Sequence, residues 1–140
     1  MKTDAKLLAV LRIRGEVGIS PQIRDCLNLM KLHRKNRTIL VENTESMRGM
    51  INKVKDYCTF GEINAETVKL LLEKRGRTPG NKLVTAEYLK KNAKTDFDKF
   101  SKALVEGKAK VGDVPGLKKF FKLHPPLGGF ERVGIKKSFS

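Results

Sequence analysis

Lys6-Leu7-Leu8-Ala9-Val10-Leu11-Arg12-Ile13-Arg14 is an apolar run that turns basic in its last three residues. Such a run reads as a β-strand, with Leu7, Ala9, Leu11 and Ile13 on one face and Arg12 and Arg14 emerging on the other towards its end. Gly15 and Gly18 open a turn after it. Ser20 and Pro21 then mark a helix start, since serine can cap and proline suits the first helical position. Ile23, Cys26, Leu27 and Met30 follow at the spacing of a buried helical stripe, and the helix is expected to end near Leu32. After a basic loop, Thr38-Ile39-Leu40-Val41 reads as a second strand. Asn43 and Thr44 offer turn and cap chemistry, with Glu45 where a helix dipole favours an acid. Met47, Met50, Ile51 and Val54 form a second helical stripe, and Tyr57 to Glu62 a third strand. A β-α-β-α-β order in about sixty residues predicts an α+β fold with a small antiparallel sheet and helices over one face. This is a ferredoxin-like sandwich lacking a strand. Its open face is left for the rest of the chain or for a partner.

Beyond Ile63 the pattern turns helical. Asn64 heads a segment with Val68, Leu71 and Leu72 aligned, closed by Lys74, Arg75 and Gly76. A short helix is expected from Thr85 through Lys91. Another carries Phe97, Phe100 and Leu104 to Gly107. From Lys108 the periodicity fades, and Lys118 to Leu123 looks extended. Three parts are therefore expected: a core over 1–62, a helical extension over 63–107, and a basic extended segment over 108–140 with no fixed place until a partner orders it.

Charge points to the partner. The 140 residues hold 30 Lys and Arg against 15 Asp and Glu, a net charge of +15. The surplus is spread out, with 12 basic against 7 acidic side chains over 1–62, 9 against 5 over 63–100, and 9 against 3 over 101–140. A chain so charged repels itself unless a polyanion is present, which points to nucleic acid. No apolar run approaches the roughly 18–20 residues that span a bilayer. Trp, favoured where basic helices lie on membranes, is absent. With no signal-type apolar stretch over Met1 to Val10, the expectation is an intracellular, soluble protein with no membrane partner. Cys26 and Cys58 sit among apolar neighbours and read as buried thiols. His33 and His124 have no ligand-spaced partner, so no metal is expected.

Several segments could meet nucleic acid, each with a plainer reading beside it. In Leu123-His124-Pro125-Pro126-Leu127-Gly128-Gly129-Phe130-Glu131-Arg132, the prolines hold an extended backbone and the glycines allow close approach to a phosphate or sugar. Phe130 and His124 can stack on a base, while Arg132, Lys136, Lys137 and the preceding Lys118, Lys119 and Lys122 neutralise phosphates. An ordinary surface turn is the equal alternative. Arg34, Lys35 and Arg37, with Arg14 at the end of the first strand, form a second candidate whose bland reading is a solvated helix end. Arg48 and Lys53 on the second helix make a third. Gly49 between them costs roughly 1 kcal/mol against alanine, which implies close packing or close approach by a ligand backbone.

Catalysis finds little. Gly15-Glu16-Val17-Gly18 follows a strand, unlike the RNA-binding loop of KH domains, which joins two helices. Its spacing to Arg24 does not match the phosphate loop of acylphosphatases, and Glu16 would repel phosphate. A phosphate-handling enzyme built on that loop is the alternative from another class. A regulatory RNA or DNA binder is a third reading. No Ser-His-Asp set, HExxH or P-loop occurs, and no cofactor or small-molecule substrate is expected.

Leu11-Arg12-Ile13-Arg14-Gly15-Glu16-Val17, Ser46-Met47-Arg48-Gly49-Met50-Ile51-Asn52-Lys53-Val54 and Phe60-Gly61-Glu62 together resemble the archaeal large-subunit ribosomal protein L-thirty family, whose eukaryotic counterpart is L-seven. The Leu-His-Pro-Pro-x-Gly-Gly stretch at 123–129 resembles the archaeal and eukaryotic extension of that family. The resemblance implies a non-catalytic structural protein of the cytoplasmic ribosome. It would be docked on large-subunit rRNA near the 5S rRNA, beside other ribosomal proteins. It also implies that Arg48 and Gly49 meet rRNA and that His124 to Gly129 thread against it. Leu127 stands where relatives often carry arginine. Many relatives also continue past the position of Ser140.

Overall fold

A computed structural model of the chain describes residues 6–93 and 95–126. The fold is α+β and ferredoxin-like. Strand β1 (Leu7–Arg12) leads to helix α1 (Pro21–Leu29), β2 (Arg37–Glu42), α2 (Glu45–Val54) and β3 (Cys58–Glu62). Helices α3 (Ala65–Arg75), α4 (Ala86–Ala93) and α5 (Phe97–Val105) follow, and β4 (Phe121–Lys122) closes the order. The sheet has the strand order β3-β1-β2-β4, and every pairing is antiparallel. The strand that the first sixty residues lack is thus supplied by the far end of the chain, where Phe121 lies opposite Thr38 and Lys122 opposite Arg37.

Helices cover both faces of this sheet: α1 and α2 lie over one, and the later part of the chain covers the face they leave open. Leu8, Val10, Ile39 and Cys58 pack with Cys26, Leu27 and Met30 of α1 and with Ile51 and Val54 of α2. Leu7 and Phe121 pack with Val68 and Leu72 of α3, Leu89 of α4 and Phe100 and Leu104 of α5. Strand alternation places these two groups on opposite sides. The expected parity of β1 holds, but Arg12 is buried where it was expected to emerge. Leu8 and Val10 are buried under α1 and α2, with Arg12 on the same face, whereas Ala9 and Leu11 are only half-buried. When both faces are covered, a strand reads as a continuous apolar run and its alternation carries little information.

The helical stripes fall as spaced. Cys26, Leu27 and Met30 are buried, as are Ile51 and Val54. At α2 the Thr44 side chain caps the helix by accepting from the Met47 amide. Ser20 and Asn64 stand at their N-cap positions without a side-chain cap bond. Both cysteines are buried thiols, and burial pushes Cys58 up to about 12. The segment from Lys108 is not without a fixed place through Lys122. Val111, Val114, Leu117 and Phe121 are buried in the α3–α5 core, and apolar burial is what fixes them.

Candidate nucleic-acid interface

Where β1 ends and β2 begins, three separate stretches of chain meet. Arg14 lies just past β1. Arg34 and Lys35 sit in the connection to β2, Arg37 opens β2, and Lys122 is its partner on β4. Asn36 stitches them together from a left-handed backbone conformation (φ 60°). Its amide donates to the Arg12 carbonyl at 2.7 Å, and its carbonyl accepts from the Leu123 amide at 2.8 Å. Arg14, Arg34, Lys35 and Lys122 are exposed, and His124, Pro125 and Pro126 leave from the same edge, also exposed. Arg37 is half-buried, with its guanidinium over the Phe120 ring at 4.4 Å. Burial, then the nearby cations Arg34 and Arg12, lower the Arg37 pKa. A crowded cation of this kind gains most when an anion arrives.

Beneath the edge lies Arg12, 1% exposed. Its Nε donates to the Arg14 carbonyl at 2.9 Å, Nη1 to Leu32 at 2.6 Å and Nη2 to Gly15 at 3.0 Å. Glu16 stands 3.7 Å away and is more than half exposed. Neither Arg12 nor Phe120 was among the residues expected at the site. The available signal was that Arg12 shares the parity of Leu8 and Val10 along β1, which carries it inward with them.

The other candidates lie elsewhere. Arg48 is at the opposite end of β2 from Arg37, where its Nε donates to Asn43 Oδ1 at 2.6 Å. Gly49 is exposed on α2, and a Cβ built there would meet nothing within 4 Å. Lys53 lines a groove of about 480 Å³ between α1 and α2 with Ile23, Leu29 and Met50. Lys118 turns towards the Arg77–Asn81 loop, its amide on the Arg77 carbonyl and its Nζ 3.4 Å from Asn81 Oδ1. Lys119 lies along Gly112. The structure therefore separates Lys118 and Lys119 from Lys122. Gly128, Gly129, Phe130, Arg132, Lys136 and Lys137 fall outside the described residues.

Known proteins share this architecture's sequence. A model of the family described as ribosomal protein L30p/L7e matches residues 8–58. The large ribosomal subunit protein uL30 of Methanococcus maripaludis is 42% identical over 132 residues, covering 94% of this chain and 85% of the relative. The uL30 proteins of Nanoarchaeum equitans and Archaeoglobus fulgidus are 45% and 44% identical, covering 96% and 91% of this chain and 86% and 84% of theirs. The chain belongs to the L30p/L7e family.

Membership makes it a structural protein of the large ribosomal subunit and not an enzyme. The alternative of a phosphate-handling loop at Gly15 to Gly18 falls with it. In that loop Glu16 pairs with Arg12, and Val17 is fully exposed. Among the described residues, no group of three His, Cys, Asp or Glu side chains could hold a metal ion. Among the same residues, no helix is long and apolar enough to cross a membrane. Among the described residues, the edge built on Asn36 and Arg12 brings together five of the expected cationic positions: Arg14, Arg34, Lys35, Arg37 and Lys122.

Proposed function

We propose that this protein holds a place in the cytoplasmic ribosome by binding large-subunit rRNA, close to the 5S rRNA, through phosphate neutralisation and shape. The observation that carries the reading is the convergence of Arg14, Arg34, Lys35, Arg37 and Lys122 from three stretches of chain onto one sheet edge. Phosphate contacts position a protein on nucleic acid and need cations at fixed spacing, which paired strands supply. The flank of α2 at half-buried Arg48 and exposed Gly49 is a second contact. In this reading, residues 1–62 carry the docking surface and 63–107 brace the sheet from behind. Residues 108–140 return a strand and then reach along the RNA, with His124 to Gly129 and Phe130 against it and Arg132, Lys136 and Lys137 on its phosphates. Neighbouring ribosomal proteins complete the site.

The test is binding of the whole chain to large-subunit rRNA, with and without 5S rRNA, over a salt series. Each neutralised phosphate contributes roughly 0.7–0.9 to the slope of log affinity against log salt. Removing Arg34 and Arg37 together should flatten that slope by about 1.5. Removing Lys118 alone should leave it nearly unchanged. Omission of 5S rRNA should weaken binding. An unaltered slope in the Arg34→Ala, Arg37→Ala variant removes the edge from the footprint, and indifference to 5S rRNA removes that neighbour.

A further inference from the structure

Among the described residues, Arg12 is the only charged side chain that is buried. Taking a cation out of water is costly, and a buried charge adds little stability over apolar packing of the same volume. Another cation is close by, since Arg12 is one of those that disfavour a charge on Arg37, and the carboxylate near it, Glu16 at 3.7 Å, is more than half exposed. Stability alone is therefore a poor reason for an arginine at this position. What a guanidinium offers instead is a planar fork of donors that can hold several acceptors at fixed angles.

The acceptors are informative. Two of the three carbonyls, on Arg14 and Gly15, belong to the segment leaving β1, and the third, on Leu32, belongs to the segment leaving α1. Arg12's own carbonyl accepts the Asn36 amide at 2.7 Å. A single residue thus ties the stretch that carries Arg14 to the stretch that carries Arg34, Lys35 and Arg37. We infer that Arg12 is a positioning residue for RNA binding: it fixes the separation of the two cationic stretches, so that the edge meets phosphates already formed. Binding then avoids the cost of ordering two loops, a saving that appears as affinity. The inference rests on the rRNA-binding reading of that edge.

Arg12→Lys keeps the charge and loses the fork. Combining it with Arg34→Ala and, separately, with Arg48→Ala at the far end of β2 distinguishes positioning from general destabilisation. We expect Arg12→Lys to weaken rRNA binding by about tenfold while the chain stays folded by circular dichroism. With Arg34→Ala, the combined loss should fall short of the product of the two single losses, because Arg12 acts through that stretch. With Arg48→Ala, the losses should multiply. Multiplication in both pairs, or wild-type binding by Arg12→Lys, overturns the inference. Should the lysine variant fail to fold, amide order parameters of the free wild-type protein decide instead. Values near 0.85 at Gly15, Glu16, His33 and Arg34 support a pre-formed edge, and values below about 0.6 overturn it. If the unmutated chain itself does not bind rRNA, the functional reading fails first, and that result is visible without any variant.

Discussion

Gly49 separates two reasons a glycine can stand inside a helix. Its backbone is ordinary helix within α2, and the space where a Cβ would go is open, so nothing within the described residues needs a glycine there. Gly49→Ala should raise stability by about 0.5–1 kcal/mol, read as a higher urea midpoint. The same methyl group should weaken rRNA binding about tenfold if an RNA backbone approaches this flank. A variant both more stable and equally tight would return α2 to plain solvent exposure. At this scale the sequence was partly legible. Gly49 drew notice because an interior helical glycine costs stability, but only coordinates could show that intramolecular packing does not explain it. The depth of Arg12 is not legible because Leu7 to Leu11 is apolar at every position, so parity cannot tell which face is the deeper one.

Helices were legible as elements because a 3.6-residue stripe extends over several turns: Ile23 to Met30, Met47 to Val54 and Phe97 to Leu104 each gave repeated hits on one period. Strand β4 gave no such signal. It is two residues long, and only its partner defines it as a strand. Yet Phe121 is fully buried between the sheet and α3, so the short strand is anchored by its side chain more than by its ladder. Phe121→Ala should cost about 3–5 kcal/mol, the range for a buried phenylalanine, measured by denaturant unfolding. Lys122→Ala beside it should cost almost nothing in stability while lowering the salt slope of rRNA binding. A small loss at Phe121 would mean that β4 contributes little to holding the sheet.

For the molecule as a whole, a surplus of 15 positive charges opposes compaction, and the ion pairs offset little of it. Lys69–Asp98, Lys90–Asp96, Lys108–Glu106 and Lys110–Glu42 are all surface pairs, whose attraction solvent largely screens. Salt should therefore act in opposite directions on the two states. Raising it from about 0.05 to 0.5 M shortens the screening length to a few ångströms, so the free protein should melt several degrees higher. The rRNA complex should weaken over the same range. A free protein that melts lower in salt would show that attraction, not repulsion, dominates its surface. The charge surplus was fully legible in composition. How the surplus is arranged was not, because the edge joins residues distant in sequence through pairings that no local pattern announces.

The late arrival of β4 has a further consequence for how the chain is made. Arg37 and Lys122 lie roughly eighty positions apart, a contact of very high sequence separation. During synthesis, β1, β2 and β3 can pair as soon as they emerge, and α1 and α2 can close over one face. The other face must wait for α3 to α5, and its packing stays incomplete until Phe121 has been added. A nascent or truncated chain ending before that point would present apolar surface and an open strand edge to chaperones and proteases. Completion of the last strand would then act as a checkpoint, separating chains fit for assembly from those to be discarded.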